Sequence, residues 1–350
     1  MSFNYRQLIF AREYRGLTQS DLSSNIVGLS QSNLSKYEKG FASLADEMVL
    51  KIINFLGFPE SWLQHNISNL PENAHYRKRT TITKKIKTEI EYSIRLIGYI
   101  VDQMSDSIEW PEFRLVPLDI EQGYTPEMIA KNTRKTLKIS PNEPIKSIFT
   151  LFENFGIIVI EFDITDKFDG VSFISDKGNP VIVLNKNFTN DRKRFTLAHE
   201  LGHLMMHDFP IPEHRNIEKI KENEANRFAS EFLMPAEFIK NSLFNLKLSN
   251  LGPLKNYWLT SMASLIRRAK DLNCILENQY TYLTIELSRD GKKKNEDGFV
   301  YIDEPSLFIE AYKLHKNDLD YSDLDLSNAF SIPVDVIQRF CKTSRLRIIK

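Results

Sequence analysis

The chain has 350 residues, 42% hydrophobic and 26% charged, an ordinary mixture for folded globular domains that excludes a fibrous or disordered polymer. Lys plus Arg and Asp plus Glu balance at 46 each, so the chain as a whole is not basic. No apolar run reaches membrane-spanning length, the N-terminus does not read as a signal peptide, and two cysteines, Cys274 and Cys341, give neither a disulfide framework nor a Cys-based metal site, so a cytoplasmic setting is expected.

Residues 4–64 read as five short helices. Tyr5 to Arg15 carries apolar positions at Leu8, Ile9, Ala11 and Tyr14 and closes at Gly16. Thr18 caps Gln19 to Ile26, Ser30 caps Gln31 to Glu38, Ser43 caps a helix through Leu56, and Pro59 opens a fifth. The stretches Gly16-Leu17-Thr18-Gln19-Ser20-Asp21-Leu22 and Leu29-Ser30-Gln31-Ser32-Asn33-Leu34-Ser35-Lys36-Tyr37-Glu38-Lys39-Gly40 resemble the XRE/Cro-type helix-turn-helix. The resemblance implies a third helix in the major groove, with double-stranded DNA as partner of residues 1–64. Gln31, Ser32, Asn33, Ser35 and Lys36 are then the base- and phosphate-facing residues, and Gln19 meets the backbone. Ser23 stands where the pattern has a small Ala, and the turn Ile26-Val27-Gly28-Leu29-Ser30 is one residue longer. Six basic and six acidic residues in 1–64 leave no electrostatic footprint, so a helical module for protein contact is the alternative. A homodimer is left open.

Residues 65–83 read as a polar linker, with Arg77, Lys78, Arg79, Lys84, Lys85 and Lys87 forming a basic cluster. A long amphipathic helix is expected over 84–106, and two more over Tyr124–Leu137 and Pro144–Phe155. Residues 157–160, 171–174 and 181–184 read as three strands of a small sheet, whose edge is suited to an extended substrate.

The chemistry is concentrated in Phe195-Thr196-Leu197-Ala198-His199-Glu200-Leu201-Gly202-His203. Residues four apart share a helical face, so His199 and His203 can direct two imidazoles at one metal ion, with Glu200 beside it as a base. His207 lies about 12 Å beyond His199 along the axis, too far to join them on one ion from a straight helix. It is expected behind the ligands or in a structural role, with His214 a weaker spare in the following loop. Gly202 costs about 1 kcal/mol of helix stability relative to Ala, which points to a close approach by another backbone or a substrate. Catalytic zinc needs a third protein ligand and an open position. Glu222 to Leu233 reads as a second helix ended by Pro235. Glu222 and Asn226 share a face, while Glu224 points about 200° away. Glu222 is therefore preferred as the carboxylate ligand, with Glu224 as the alternative, and Asn226 is placed to orient a histidine.

The first block, with Glu222-x-x-Ala225-Asn226-x-Phe228-Ala229 and Leu233-Met234-Pro235, resembles the ImmA/IrrE family of metallopeptidases. The resemblance implies zinc on His199, His203 and Glu222, Glu200 as general base, and cleavage of a repressor-like partner protein in bacteria or their mobile elements. After Pro235 a helical, structural segment is expected, including Leu254–Asn273, which superficially resembles a second helix-turn-helix; a charged turn over 291–298 and a C-terminal segment with no evident chemistry follow.

The expected fold class is α+β and mostly helical. It comprises a helix-turn-helix domain (1–64), a linker (65–83), a zincin-like metallopeptidase domain with a small sheet (84–278) and a small C-terminal domain (279–350). The expected function is a DNA-binding regulator fused to a zinc-dependent endopeptidase acting on a repressor or antitoxin. The rival is a DNA-binding regulator or antitoxin whose peptidase fold is a non-catalytic scaffold. No membrane partner is expected.

Overall fold

The computed structural model describes residues 3–65, 83–163, 165, 168–207, 217–289, 296 and 298–341. The basic residues 77–79, His214 and most of the charged turn after residue 290 lie outside them. Among the described residues are sixteen α-helices and one three-stranded sheet.

The N-terminal module contains α1 (Tyr5–Tyr14), α2 (Gln19–Asn25), α3 (Gln31–Glu38) and α4 (Asp46–Phe55). The Thr18 hydroxyl accepts from the Asp21 N–H and the Asp21 carboxylate accepts from the Thr18 N–H, a reciprocal cap. The Ser30 hydroxyl accepts from the Asn33 N–H. Two expectations need correction. Ser43 does not cap α4; Ala45 does, without a side-chain bond, and Asp46 and Glu47 put negative charge in the first turn where the helix dipole favours it. The fifth helix is a 3-10 turn, Glu60–Gln64, and it buries Trp62 with its indole N–H donating to the Gln7 carbonyl at 2.9 Å.

Three helices follow: α5 (Lys84–Met104), α6 (Pro126–Thr136) and α7 (Ile148–Asn154). Strands β1 (Ile158–Phe162), β2 (Gly170–Ile174) and β3 (Pro180–Asn185) then lie in the order β1-β3-β2. β3 is central, parallel to β1 and antiparallel to β2.

The long helices α8 (Asn190–Met206) and α9 (Ile217–Leu233) pack on each other beneath the sheet. Next come α10 (Ala236–Leu243), α11 (Leu248–Trp258), α12 (Met262–Asp271) and α13 (Glu277–Arg289). The helical segment expected over Leu254–Asn273 is divided between α11 and α12. Leu259 turns left-handed at φ 55°, and the Ser261 hydroxyl caps α12 by accepting from Ser264 N–H. The break leaves the Leu259 carbonyl to accept from the buried Arg194 guanidinium at 2.9 Å.

The remaining helices are α14 (Leu307–Asn317), α15 (Asp323–Phe330) and α16 (Val334–Cys341).

Strand alternation makes the sheet a wall between two cores. Ile158, Ile160, Phe162, Val171, Phe173, Val181 and Val183 join α5, the N-terminal module and α14–α16 in one core. Val159, Ile182 and Leu184 join α6–α13 in the other. The expected C-terminal unit 279–350 is therefore not one core: Leu283 and Leu287 of α13 belong to the second cluster, while α14–α16 belong to the first. Arg15 pairs with Asp335 at 2.6 Å, and Arg339 donates to the Tyr14 hydroxyl at 3.2 Å, tying α16 to α1.

Glu153 fastens α14 to α7. Its carboxylate accepts from the backbone N–H groups of Ser306 and Leu307 at 3.0 Å. Burial pushes this carboxyl up to about 7, only partly offset by those hydrogen bonds. A folded-state value above the unfolded one means that the native chain holds more protons, so stability falls as pH rises. The contribution is complete below pH 4.5 and lost as pH passes through about 7. Glu153→Gln keeps an acceptor and cannot ionise. Urea unfolding across this window is expected to show wild-type stability declining relative to Glu153→Gln as pH rises. Parallel curves would contradict the assignment.

Candidate metal centre

α8 carries His199, Glu200 and His203, and its neighbours cover it on both faces. Leu197, Ala198 and Leu201 enter the inner core, and Gly202 lets α9 come close. A Cβ at Gly202 would stand 3.0 Å from Phe228 Cδ1, so the close neighbour is a ring rather than a backbone or substrate. Gly170 does the same for β2 against α8, where a Cβ would meet Thr196 Cγ2 at 2.7 Å.

His199, His203 and Glu222 are brought together, their ligand atoms all within 4.8 Å of one another. His199 Nε2 and His203 Nε2 are 3.1 Å apart. Glu222 reaches them at 3.6 and 3.4 Å. Both histidines are almost fully buried, whereas Glu222 is partly open. Burial raises the Glu222 carboxyl, but hydrogen bonding and charge from His199 and His203 outweigh it and hold the group far below the usual carboxylate range.

The partners behind the ring nitrogens test whether a cation fits. Asn226 Oδ1 lies 3.1 Å from His199 Nδ1. A carbonyl oxygen only accepts, so Nδ1 carries the proton when the amide is oriented this way, and Nε2 presents a lone pair. His203 Nδ1 lies 2.8 Å from His207 Nδ1, and His207 Nε2 lies 2.9 Å from a Glu224 oxygen. Without an ion a proton on either Nε2 can bridge these atoms; with both protons behind the rings, two lone pairs and a carboxylate face one point and suit a cation. An N2O set of this kind suits zinc and leaves a fourth position open.

Glu224 is turned to His207, away from the His199–His203–Glu222 cluster. Burial lowers the His207 imidazole against the opposing pull of Glu224. Glu200 is buried, and its carboxylate accepts from Ser172 Oγ at 2.8 Å. Sequence reasoning missed Ser172. The signal was present: alternation puts it on the opposite face from Val171 and Phe173, a hydroxyl aimed at the metal helix. Thr189 is the N-cap residue of α8, without a side-chain cap bond, and Asn190 donates to the Val300 carbonyl at 2.8 Å.

In the N-terminal module, Gln31, Ser32, Asn33 and Lys36 are exposed on α3, and Ser35 is half-buried. Gln31 donates to Gln19 at 3.0 Å. Gln19 donates to Glu38 at 2.6 Å, and Arg12 holds Glu38 through two hydrogen bonds. This chain of contacts locks the start of α2 to the start of α3.

Residues 152–270 match the family model described as the IrrE N-terminal-like domain, a peptidase model. Residues 5–68 match a helix-turn-helix domain model. The chain joins an IrrE-like peptidase domain to a helix-turn-helix domain. The two matches bear out the resemblance to ImmA/IrrE proteins with an N-terminal helix-turn-helix. No curated protein matches the chain. Both the metal-centre helix and Glu222 fall inside the peptidase match. No helix of the described residues is long and apolar enough to cross a membrane.

The closeness of Phe228 gives a test of how α8 and α9 meet. An ordinary Gly→Ala change in a helix gains about 1 kcal/mol. Here overpacking against a buried ring costs about 1–3 kcal/mol and should win once a β-branched side chain is added. Gly202→Val is therefore expected to lower unfolding free energy by about 2 kcal/mol in urea titration. A stabilised variant would mean that the two helices are not in this contact.

Proposed function

We propose that the protein is a cytoplasmic DNA-binding regulator carrying a zinc-dependent endopeptidase, which cleaves a repressor or antitoxin partner. The observation that carries the reading is the convergence of His199, His203 and Glu222 beside a buried glutamate, Glu200, on the next residue of the same helix. His199, His203 and Glu222 would hold the ion. Zinc in such a set supplies a Lewis acid that polarises a peptide carbonyl and acidifies water.

The chain's own residues do the rest. Glu200 takes the proton of the attacking water and returns it to the departing amine. Ser172 fixes the Glu200 carboxylate by donating to one of its oxygens. Asn226 fixes His199 from behind. β2 is an edge of the sheet and carries Ser172, so an extended peptide adding to that edge would lie along the site.

DNA reading is assigned to α3, with Gln31, Ser32 and Asn33 toward bases and Ser35, Lys36 and Gln19 toward phosphates. The exposure of Gln31 to Asn33 and the Gln19–Gln31 bond support this.

Metal analysis of purified protein is expected to find one zinc per chain. His203→Ala and Glu222→Ala should lose it. Glu200→Gln should keep zinc and fold while losing about 10²–10⁴-fold or more in turnover of a partner protein. Wild-type turnover in Glu200→Gln would remove Glu200 as the base, whereas no cleavage of any partner by the wild type would return the peptidase fold to a scaffold role.

Gln31→Ala combined with Asn33→Ala should leave zinc content unchanged and remove sequence preference, at about 1–3 kcal/mol per lost bidentate base contact. Binding-site selection at low salt checks this. An empty selection with folded wild type would replace DNA reading with protein docking.

A further inference from the structure

We propose that His207 and Glu224 form a positioning relay behind His203 that sets metal affinity and the direction of the His203 imidazole. The inference rests on the metal-centre reading above and deepens it.

The geometry is directional. Glu224 lies 2.9 Å from His207 Nε2, and a carboxylate accepts, so that nitrogen donates. His207 then offers its other nitrogen, Nδ1, as an acceptor. That atom stands 2.8 Å from His203 Nδ1, so the proton between the rings belongs to His203. His203 Nε2 is thereby left as a lone pair toward His199 Nε2 and Glu222.

Both imidazoles lie where water is scarce, while the Glu224 side chain is 18% exposed. His207 is 1% exposed and His203 is 2% exposed. The His207 ring stacks at a tilt beside that of His203, with centroids 5.0 Å apart, and its backbone N–H donates to the His203 carbonyl at 2.9 Å. His207 ends α8, and Glu224 reaches it from α9, so the relay also crosses the helix pair.

The arrangement removes both other roles for these residues. His207 faces the back of His203, so it is not a fourth ligand. Glu224 is committed to His207, so it is not a rival to Glu222. A carboxylate acting through one imidazole on the next would push electron density toward the nitrogen that would hold the ion, and it fixes the His203 ring from behind. Such outer partners are worth about 10–100-fold in metal affinity.

The test uses the full chain, stripped with a chelator and titrated with Zn2+ against a chromophoric competitor. Co2+ absorption serves as a second readout. Glu224→Gln is expected to weaken Zn2+ binding by about 10-fold and His207→Phe by about 10–100-fold. His207→Gln should recover most of the loss, because its amide oxygen can accept from His203 while its NH2 donates to Glu224. The double variant His207→Phe, Glu224→Gln should bind no more weakly than His207→Phe alone, since Glu224 acts only through His207. The Co2+ bands should shift in His207→Phe and return in His207→Gln.

Wild-type affinity in Glu224→Gln would overturn the relay, and that variant serves even where His207→Phe does not fold. Losses that multiply in the double variant would overturn it too. A wild type that binds neither ion would overturn the metal-centre reading itself.

Discussion

The site depends on two imidazoles held nitrogen to nitrogen from behind. Two imidazole nitrogens are kept 3.1 Å apart, each backed by a partner that occupies its other nitrogen. Water cannot relax them, because both rings are buried. The close crossing of α8 and α9, permitted by Gly202 against Phe228, brings Glu222 of α9 to within 3.6 Å of both rings. The same crossing that packs the two helices therefore also assembles the His199–His203–Glu222 cluster.

The scaffold around that crossing is held by buried guanidinium groups that donate to backbone carbonyls. Arg194 bonds Leu259 and Lys146, Arg134 bonds Phe232, Ser140 and Glu143, and Arg268 bonds Met234. Burial lowers Arg194 to about 10, so it stays charged near neutrality. Charged hydrogen bonds of this kind contribute about 1.5–3 kcal/mol each, and they fasten loops that have no ladder of their own. Arg268 also meets the buried Glu231 carboxylate, so its charge is paired.

Much of this was legible in the sequence where the signal is local. Helical spacing places His199 and His203 on one face, and shared facing of Glu222 with Asn226 separates Glu222 from Glu224. The caps at Thr18 and Ser30 and the three strands were equally readable, since each depends on a few adjacent residues. What was not legible is non-local. The break at Leu259 answers to Arg194, some 65 residues earlier. The Ser172–Glu200 and His207–Glu224 bonds join elements whose packing no periodicity reveals. The Gly202 signal announced a close approach without naming Phe228. The division of the last residues between two cores was hidden because the sheet is apolar on both faces.

The tie between α1 and α16 has a consequence in time. Arg15 and Asp335 are 320 positions apart, and the core around Phe10, Tyr14 and Phe58 is finished by Val336, Ile337 and Phe340. A ribosome delivers the N-terminal module first, and at about 5–20 residues per second its closing helices follow only after tens of seconds. Through that interval the newborn module presents an unfinished apolar flank. The polypeptide is therefore most exposed to chaperones and proteases while it is being made, and its last helices act as the latch that ends this exposure.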